Sequence, residues 1–250
     1  MKTNPKINFL ILQVLLPGAA AALRGVLYLT ASDEKNLLVR GHPAAWLLWL
    51  VCAAAAVLIP VSLRKQEDCP GASPAAAAAG SWIFSAGIVL TVLWGNGLQR
   101  TGLVLLWTAA GVLAAAGLIW AGLDRIKGKQ PNFLIYCILC LFLSLHMVSR
   151  YQPWSGNPQV QDWIFSLMAA VGLTLCAYHH GALAAGNGYG RLPAATQLLT
   201  VVFCCAALPH TEYFALYLCG GIWAFTNLHS ITAPTPKKTE PAPEAGTETE

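Results

Sequence analysis

The chain has 250 residues, of which 56% are hydrophobic and 10% are charged, and its formal net charge at pH 7 is +4. Soluble domains carry roughly 25% charged residues, so this chain has too little polar surface to cover a water-soluble globule. No run of Lys or Arg is long enough to follow a nucleic-acid backbone, so nucleic acid is excluded as an expected partner and the lipid bilayer is the expected environment.

Eight apolar windows are long enough for membrane-spanning helices, because about 20 residues at 1.5 Å each cross the hydrocarbon core. Backbone polar groups in hydrocarbon must bond internally, so helices are expected in these windows. In chain order the windows are 7–30, 44–63, 75–95, 101–123, 132–149, 160–183, 192–208 and 213–231. The sequence therefore predicts an all-α fold, a polytopic transmembrane bundle of about eight helices that forms one domain over residues 1–231.

The first window has the outline of a secretory signal peptide. Lys2 and Lys6 precede an apolar run that ends in small residues at 19–22. Apolar character resumes at Val26 and Leu27, beyond the point where cleavage would fall. This continuation favours a first helix that is retained as an uncleaved signal.

Small residues and cysteines in the fourth and fifth windows indicate packing. Gly111 and Ala115 have four-residue spacing, as do the small residues at 117 and 121, which lets membrane helices approach closely. Cys137 and Cys140 have CxxC spacing, but no second pair accompanies them in the sequence. Cysteines in an apolar helix usually behave as small hydrophobes, so we expect no metal site there.

The connections between windows suggest two similar halves. In each half, a long connection joins the first two windows and a short one joins the last two, and both lie on the predicted outer side of the membrane. This spacing predicts a parallel four-plus-four repeat, related by an axis along the membrane normal.

After residue 231 the composition changes to Thr, Pro, Ala, Glu and Lys, with no aliphatic side chain larger than Ala. Such a segment cannot bury enough apolar area to fold, so residues 232–250 are predicted to form a disordered tail.

The distribution of Lys and Arg predicts the orientation, because an excess in short loops stays in the cytoplasm. The side with both termini carries Lys2, Lys6, Arg64, Lys65, Arg125, Lys127, Lys129, Arg191, Lys237 and Lys238. The opposite side carries Lys35, Arg40, Arg100 and Arg150. Both termini, and with them the tail, are therefore predicted to be cytoplasmic.

Acidic residues are absent from the middle of every window, although the chain contains 11 Asp and Glu. Cation pumps and many proton-coupled carriers place a titratable carboxylate near the midplane, so that mechanism is disfavoured. The HExxH motif of metalloproteases and the GxSxG motif of serine hydrolases are also missing from the sequence.

Histidines occur toward both ends of the last four windows. His146 and His210 fall on the predicted outer side, whereas His179, His180 and His229 fall on the inner side. Two bis-histidine pairs of this kind can hold b-type haems. The interpretation that we favour is that His179 and His180 are solvated near the interface and that no cofactor is bound.

Arg24 lies in the outer part of the first window, about 6 to 9 Å from its end by helix rise. Snorkelling of the guanidinium to the interface is the favoured interpretation, and a ligand contact inside the bundle is the alternative.

Polar residues gather at the predicted outer ends of helices five to eight. His146 and Arg150 are four residues apart and therefore share a helix face. The predicted ligand-binding residues are His146, Arg150, Trp154, Asp162, His210 and Glu212, together with Arg24. The alternative interpretation is that Arg150 pairs with Asp162 to fix the loop, while the histidines face water.

These features predict a multi-pass protein of the plasma membrane, of the kind found in the bacterial inner membrane, that binds or transports a small solute through an outward-facing polar pocket. One alternative is an accessory or assembly subunit that packs against a membrane-protein partner or a second copy of itself. The other is a membrane enzyme that acts on a lipid headgroup.

Overall fold

The computed structural model describes residues 5–30, 42–64, 73–94, 101–154, 160–187, 190–208 and 213–228, without the side chains of 5–12, 101–102, 150–154 and 160–163. Its elements are α1 (Pro5–Thr30), α2 (Pro43–Arg64), α3 (Pro74–Trp94), α4 (Thr101–Ile126), α5 (Phe133–Trp154), α6 (Val160–Ala184), α7 (Arg191–Ala207) and α8 (Phe214–Thr226). Every element of these ranges is a helix, so the predicted all-α bundle is confirmed.

Five of the helices are long and apolar enough to cross a membrane. They are α2, α3 and the segments Gln13–Thr30 of α1, Leu103–Ile126 of α4 and Ile164–Ala184 of α6. The apolar part of α5, Phe133–Ser149, and the helices α7 and α8 are shorter. Large apolar side chains cover the outside, including Leu29, Trp46 and Leu105, which are 82%, 71% and 74% exposed. An exterior of this kind suits lipid rather than water, so the fold is that of a helical membrane protein.

Helices α3 to α8 close a ring. Each of them packs on the next in the chain, α8 returns to pack on α3, and α6 also touches α8 across the ring. The hairpin of α1 and α2 lies outside the ring and packs on α7. One hydrophobic cluster fills the ring, and a second joins the hairpin to α7.

Aromatic side chains fill the interior of the ring. Phe84 stacks on Trp223 with ring centroids 5.0 Å apart, and Trp107 stacks on Phe142 at 5.7 Å. All four side chains are almost completely buried. The ring is therefore packed with side chains at these positions.

Glycines allow α3 and α8 to approach closely. A Cβ added to Gly80 would collide with the hydroxyl of Thr226, and one added to Gly87 would lie 2.5 Å from Cys219 Cβ. The small residues predicted to pack in α4 do so, since a Cβ on Gly111 would lie 2.7 Å from Val92 Cγ2. Close approach of this kind is how membrane helices gain van der Waals contact.

The two halves of the chain pack differently. α6 packs along α7, whereas the described parts of α2 and α3, the corresponding pair in the first half, do not touch. The contacts between the described helices therefore do not repeat from the first half to the second, as a four-plus-four repeat would require.

Helix α8 ends earlier than the predicted window. The backbone leaves the helix at Asn227, whose N–H donates to the Trp223 carbonyl and whose side chain donates to the Ala77 carbonyl of α3. Anchoring of the Asn227 side chain on a neighbouring helix explains the early end. Residues 229–231 and the predicted tail at 232–250 lie outside the described residues.

Candidate functional site

Two clusters of buried polar and aromatic side chains stand out inside the ring of α3 to α8, whose core is mostly apolar. The His146 cluster consists of Trp107, Phe142, His146, Tyr213 and Tyr217. The His180 cluster consists of Arg125, Tyr136, His180, Gln197 and Asn227. Polar groups inside a bilayer are costly, so both clusters are candidates for function.

His180 lies at the centre of its cluster and is 2% exposed. The Tyr136 ring stacks on the imidazole with centroids 5.4 Å apart, and the Trp223 ring lies at 4.9 Å. The imidazole is therefore held between aromatic surfaces, and the expectation that His180 is solvated near the interface is wrong.

Both ring nitrogens of His180 have polar partners. Gln197 Nε2 lies 3.1 Å from His180 Nε2, and a guanidinium nitrogen of Arg125 lies 3.4 Å from His180 Nδ1. Gln197 also donates from Nε2 to the Asn227 carbonyl at 2.9 Å. Gln197 is fully buried, so these contacts replace the water that its amide loses on burial.

The Arg125 guanidinium is bonded to neutral acceptors. It donates to the Asn227 side-chain oxygen, and at 3.0 Å to the Tyr136 hydroxyl. The Asn227 amide nitrogen donates in turn to the carbonyls of Ala77 and Trp223 at 3.2 and 3.0 Å. The cluster thus joins α3, α4, α5, α6, α7 and α8 through one hydrogen-bond network.

Two similar helix ends help to place the cluster. After α4, Gly128 has φ 68°, and the N–H of Lys129 donates to the Asp124 carbonyl at 2.8 Å. After α6, Gly186 has φ 85°, and the N–H of Asn187 donates to the Ala182 carbonyl at 2.8 Å. Both are Schellman ends, in which glycine adopts the left-handed conformation at low cost. They end the two helices one turn or less beyond Arg125 and His180.

The His146 cluster is an aromatic cage. His146 is 1% exposed, with the Trp107 ring stacked at 6.2 Å and the Tyr213 ring meeting it edge-on at 4.7 Å. The Tyr217 hydroxyl lies 3.4 Å from His146 Nε2. This imidazole has lost nearly all contact with solvent.

Arg24 faces the bundle, so the snorkelling interpretation is wrong. The side chain is 1% exposed, and its guanidinium carbon lies 5.8 Å from the centre of the Phe165 ring. Phe165 belongs to the hydrophobic cluster between the α1–α2 hairpin and α7, whereas the rings around His146 belong to the cluster inside the ring.

The side chains of the other predicted site residues lie outside the described residues. Arg150, Trp154 and Asp162 lie on α5 and α6, but their side chains are outside the described residues. His210 and Glu212 lie in the segment 209–212, which is also outside them. Convergence of these residues at one mouth of the bundle therefore stays a prediction.

The arrangement does not suit the haem alternative at the inner end. Both nitrogens of His180 are engaged by Gln197 and Arg125, so neither is available to bind iron in this conformation. His179 points about 100° away around the helix, and His229 lies outside the described residues. Within the described part of the chain, no three His, Cys, Asp or Glu side chains could hold a metal ion together.

Sequence reasoning missed three members of the His180 cluster. Gln197 and Asn227 are amides inside apolar windows, and Tyr136 lies in another such window. The intramembrane amides were the available signal, since each must find a hydrogen-bond partner within the protein. Arg125 lies just beyond the predicted window 101–123, so the sequence indicates it only as a charge on the cytoplasmic side.

No protein-family model matches the chain, and no curated protein or solved structure matches it either.

Proposed function

We propose that the protein binds a small solute and transports it across a membrane through the ring of α3 to α8, with the two histidine clusters closing opposite ends. The observation that supports this proposal is the presence of two buried polar clusters at two levels of one ring. Tyr136 and His146 are ten residues apart on α5, as are Tyr217 and Asn227 on α8. This spacing separates the clusters by about 15 Å along the helices.

The section between the clusters contains apolar and small side chains. Leu139 of α5, Ala169 and Leu173 of α6 and Ala114 of α4 belong to the buried core there. Each cluster is held by individual hydrogen bonds with a net contribution of about 1 kcal/mol, so either can open without unfolding the bundle. The conformation described would then be one in which both ends are closed.

The proposed orientation places the His180 cluster on the cytoplasmic side of the plasma membrane. Lys127, Lys129 and Arg191 lie at this end of the bundle, in agreement with the excess of positive charge expected in cytoplasmic loops. The His146 cluster would then lie beneath the outward-facing pocket. Arg150, one turn beyond His146 on α5, is proposed to belong to its entrance.

The packed interior favours a second candidate, an accessory subunit that assembles with another membrane protein. The stacked pairs Phe84–Trp223 and Trp107–Phe142 occupy the ring and would have to move during transport. A subunit with a purely structural role needs no such movement.

The access of water to Cys176 distinguishes a transporter from an accessory subunit, and it can be measured without knowing the solute. Cys176 is fully buried in the core of the ring, one turn before His180. In a variant whose other cysteines are replaced, we expect a membrane-impermeant thiol reagent to label Cys176 slowly. Labelling from the cytoplasmic side should become at least tenfold faster in His180→Ala, and from the outer side in His146→Ala.

Tyr178→Ala is the matched control, because Tyr178 is 64% exposed on the outside of the same helix. It should leave the labelling rate within twofold of the parent. If Cys176 stays unlabelled from both sides in all variants that remain folded, the ring does not open and the transport proposal is wrong.

A further inference from the structure

We infer that the His180 cluster is a phosphate-binding site in which Arg125 takes the oxyanion. This inference rests on the proposed function, because it names the chemistry of the solute that the ring would admit. The phosphate group belongs either to a soluble phosphate compound or to a lipid headgroup, and the experiment below distinguishes these sources.

The first argument is the charge of Arg125. Its guanidinium donates to the amide oxygen of Asn227 and to the hydroxyl of Tyr136, which are neutral acceptors, and its third neighbour, the imidazole of His180, carries no negative charge. Asp124 is the only carboxylate whose side chain lies in the described part of the chain, and its place in α4 turns it about 100° away from Arg125. A half-buried guanidinium thus has no anionic partner among the described residues.

The second argument is the relative strength of the hydrogen bonds that Arg125 can make to an oxyanion and to its present neutral acceptors. Hydrogen bonds between a guanidinium and an oxyanion are roughly twice as strong as those to neutral acceptors, and they are often bidentate. An entering phosphate can therefore displace the Asn227 and Tyr136 oxygens from Arg125. The Tyr136 hydroxyl can then donate to the ligand, whereas the Asn227 oxygen gives up its bond to Arg125.

The third argument is the supply of donors around the guanidinium. The Tyr136 hydroxyl can donate to the oxyanion directly, whereas the amides of Gln197 and Asn227 already donate to backbone carbonyls and would have to exchange those bonds for bonds to the ligand. A phosphate presents several acceptor oxygens in a tetrahedral arrangement and can meet donors from several directions. A carboxylate has only two oxygens, so it fits this arrangement less well.

The surroundings make the site accessible to an anion. The Arg125 side chain is partly exposed at the end of α4, whereas His180 and Gln197 lie deeper. Lys127 and Lys129 are exposed in the adjoining turn, and their positive charge raises the local concentration of anions.

The experiment measures the melting temperature of the full-length protein in nanodiscs of zwitterionic phosphatidylcholine, with inorganic phosphate titrated against chloride at equal ionic strength. A site for soluble phosphate predicts a saturable rise in melting temperature, because a ligand that binds only the folded state stabilises it. A site for a lipid headgroup predicts the rise in nanodiscs that contain phosphatidylglycerol, with little effect of free phosphate.

Variants test whether the effect belongs to Arg125. Arg125→Gln should abolish the rise, and Tyr136→Phe should weaken the apparent affinity several-fold. Arg125→Lys keeps the positive charge but loses the planar guanidinium that can bind an oxyanion through two hydrogen bonds, so it should weaken the affinity for phosphate at least tenfold. If Arg125→Gln does not fold, the affinity of Arg125→Lys is the test of whether Arg125 binds the phosphate. Lys129→Gln removes an exposed charge in the adjoining turn and should change the affinity by less than threefold.

Two results would overturn the inference: no stabilisation by phosphate or phosphatidylglycerol, or an equal loss of stabilisation in Arg125→Lys and Lys129→Gln. The labelling of Cys176 is independent of this outcome. If Cys176 is labelled but phosphate does not bind, the transport proposal stands and the solute is a different one. If phosphate binds but Cys176 is not labelled, the cluster is a phosphate-binding site in a ring that does not open.

Discussion

Asn227 connects α8 to three other helices. Its side chain is hydrogen bonded to Arg125 of α4 and to the Ala77 carbonyl of α3, and its own carbonyl accepts from Gln197 of α7. It is 3% exposed, so water cannot replace these partners when they are lost.

Replacement of Asn227 by Ala is therefore expected to destabilise the protein. The change removes one of the donors to the Ala77 carbonyl, which also accepts from the Ser81 hydroxyl, and it removes an acceptor from Arg125, at a cost of about 1 to 3 kcal/mol. The measurement is the free energy of unfolding in mixed micelles with increasing denaturing detergent. Thr196→Ala is the control, because the Thr196 hydroxyl bonds only within its own helix, to the Leu192 carbonyl; an equal loss in both variants would contradict the assigned role.

A pair of substitutions tests whether the network acts as a unit. Gln197→Leu should cost a similar amount, because it removes the contacts to His180 and to the Asn227 carbonyl. The double variant Gln197→Leu with Asn227→Ala should cost clearly less than the sum of the single variants, since partners in one network are not independent. Additive losses, measured in the same assay, would show that the two amides stabilise the bundle separately.

At the scale of residues, the sequence drew attention to His146, whose role in ligand binding stays a prediction, but it did not indicate the environment of His180. Burial in a helix bundle depends on which face meets another helix, and this cannot be read from distance to a window end. His180 lies close to the end of α6 but faces Tyr136 and Trp223. Arg24 shows the same limit, because its position near a helix end suggested the interface while its face points at Phe165.

Among the elements, α3 and α8 depend most on small residues for their contact. Gly80→Ala should separate the two helices, because the new methyl group would collide with the Thr226 hydroxyl and lie 3.1 Å from Asn227 Nδ2. We expect a loss of about 2 kcal/mol or more, in the range that overpacking causes in protein cores. The melting temperature of the purified protein measures this loss.

Gly25→Ala is the matched control for that substitution. Nothing lies within 4 Å of the position that its Cβ would take, and Ala favours the helix more than Gly does. This variant should melt at the same temperature as the parent or slightly above it. A Gly80→Ala variant that behaves like Gly25→Ala would mean that α3 and α8 are farther apart than described.

Most helix positions could be predicted, because the thickness of the hydrocarbon core sets the length of an apolar segment. The exceptions have local causes. α8 ends at Thr226 rather than at residue 231, since a neutral amide, Asn227, is tied to α3 and α4. The contacts of the described helices do not follow the suggested repeat, because connection lengths do not determine which helix faces touch; α2 packs on α7 and not on α3.

For the whole molecule, the testable property is its orientation in the membrane. The starts of α3, α5 and α7 meet the ends of α4, α6 and α8 in the His180 cluster, as expected for helices that alternate in direction. Reporter fusions on the cytoplasmic side are predicted at Gln66, Lys127, Gly188 and the C-terminus. Fusions on the outer side are predicted near Asn36, Gln99, Asn157 and Thr211. Activity on the unexpected side at two or more of these sites would refute the eight-helix topology.

Closure of the ring by α3 and α8 also constrains biosynthesis. The ribosome makes α3 well before α8, and at about 5 to 20 residues per second the interval between them lasts on the order of ten seconds. During this interval the face of α3 that carries Gly80 and Gly87 has no partner helix, because α8 is the element that covers it. The newly inserted chain therefore spends those seconds as an open arc, shielded only by lipid or by the insertion machinery, and becomes a closed ring only after α8 has been made.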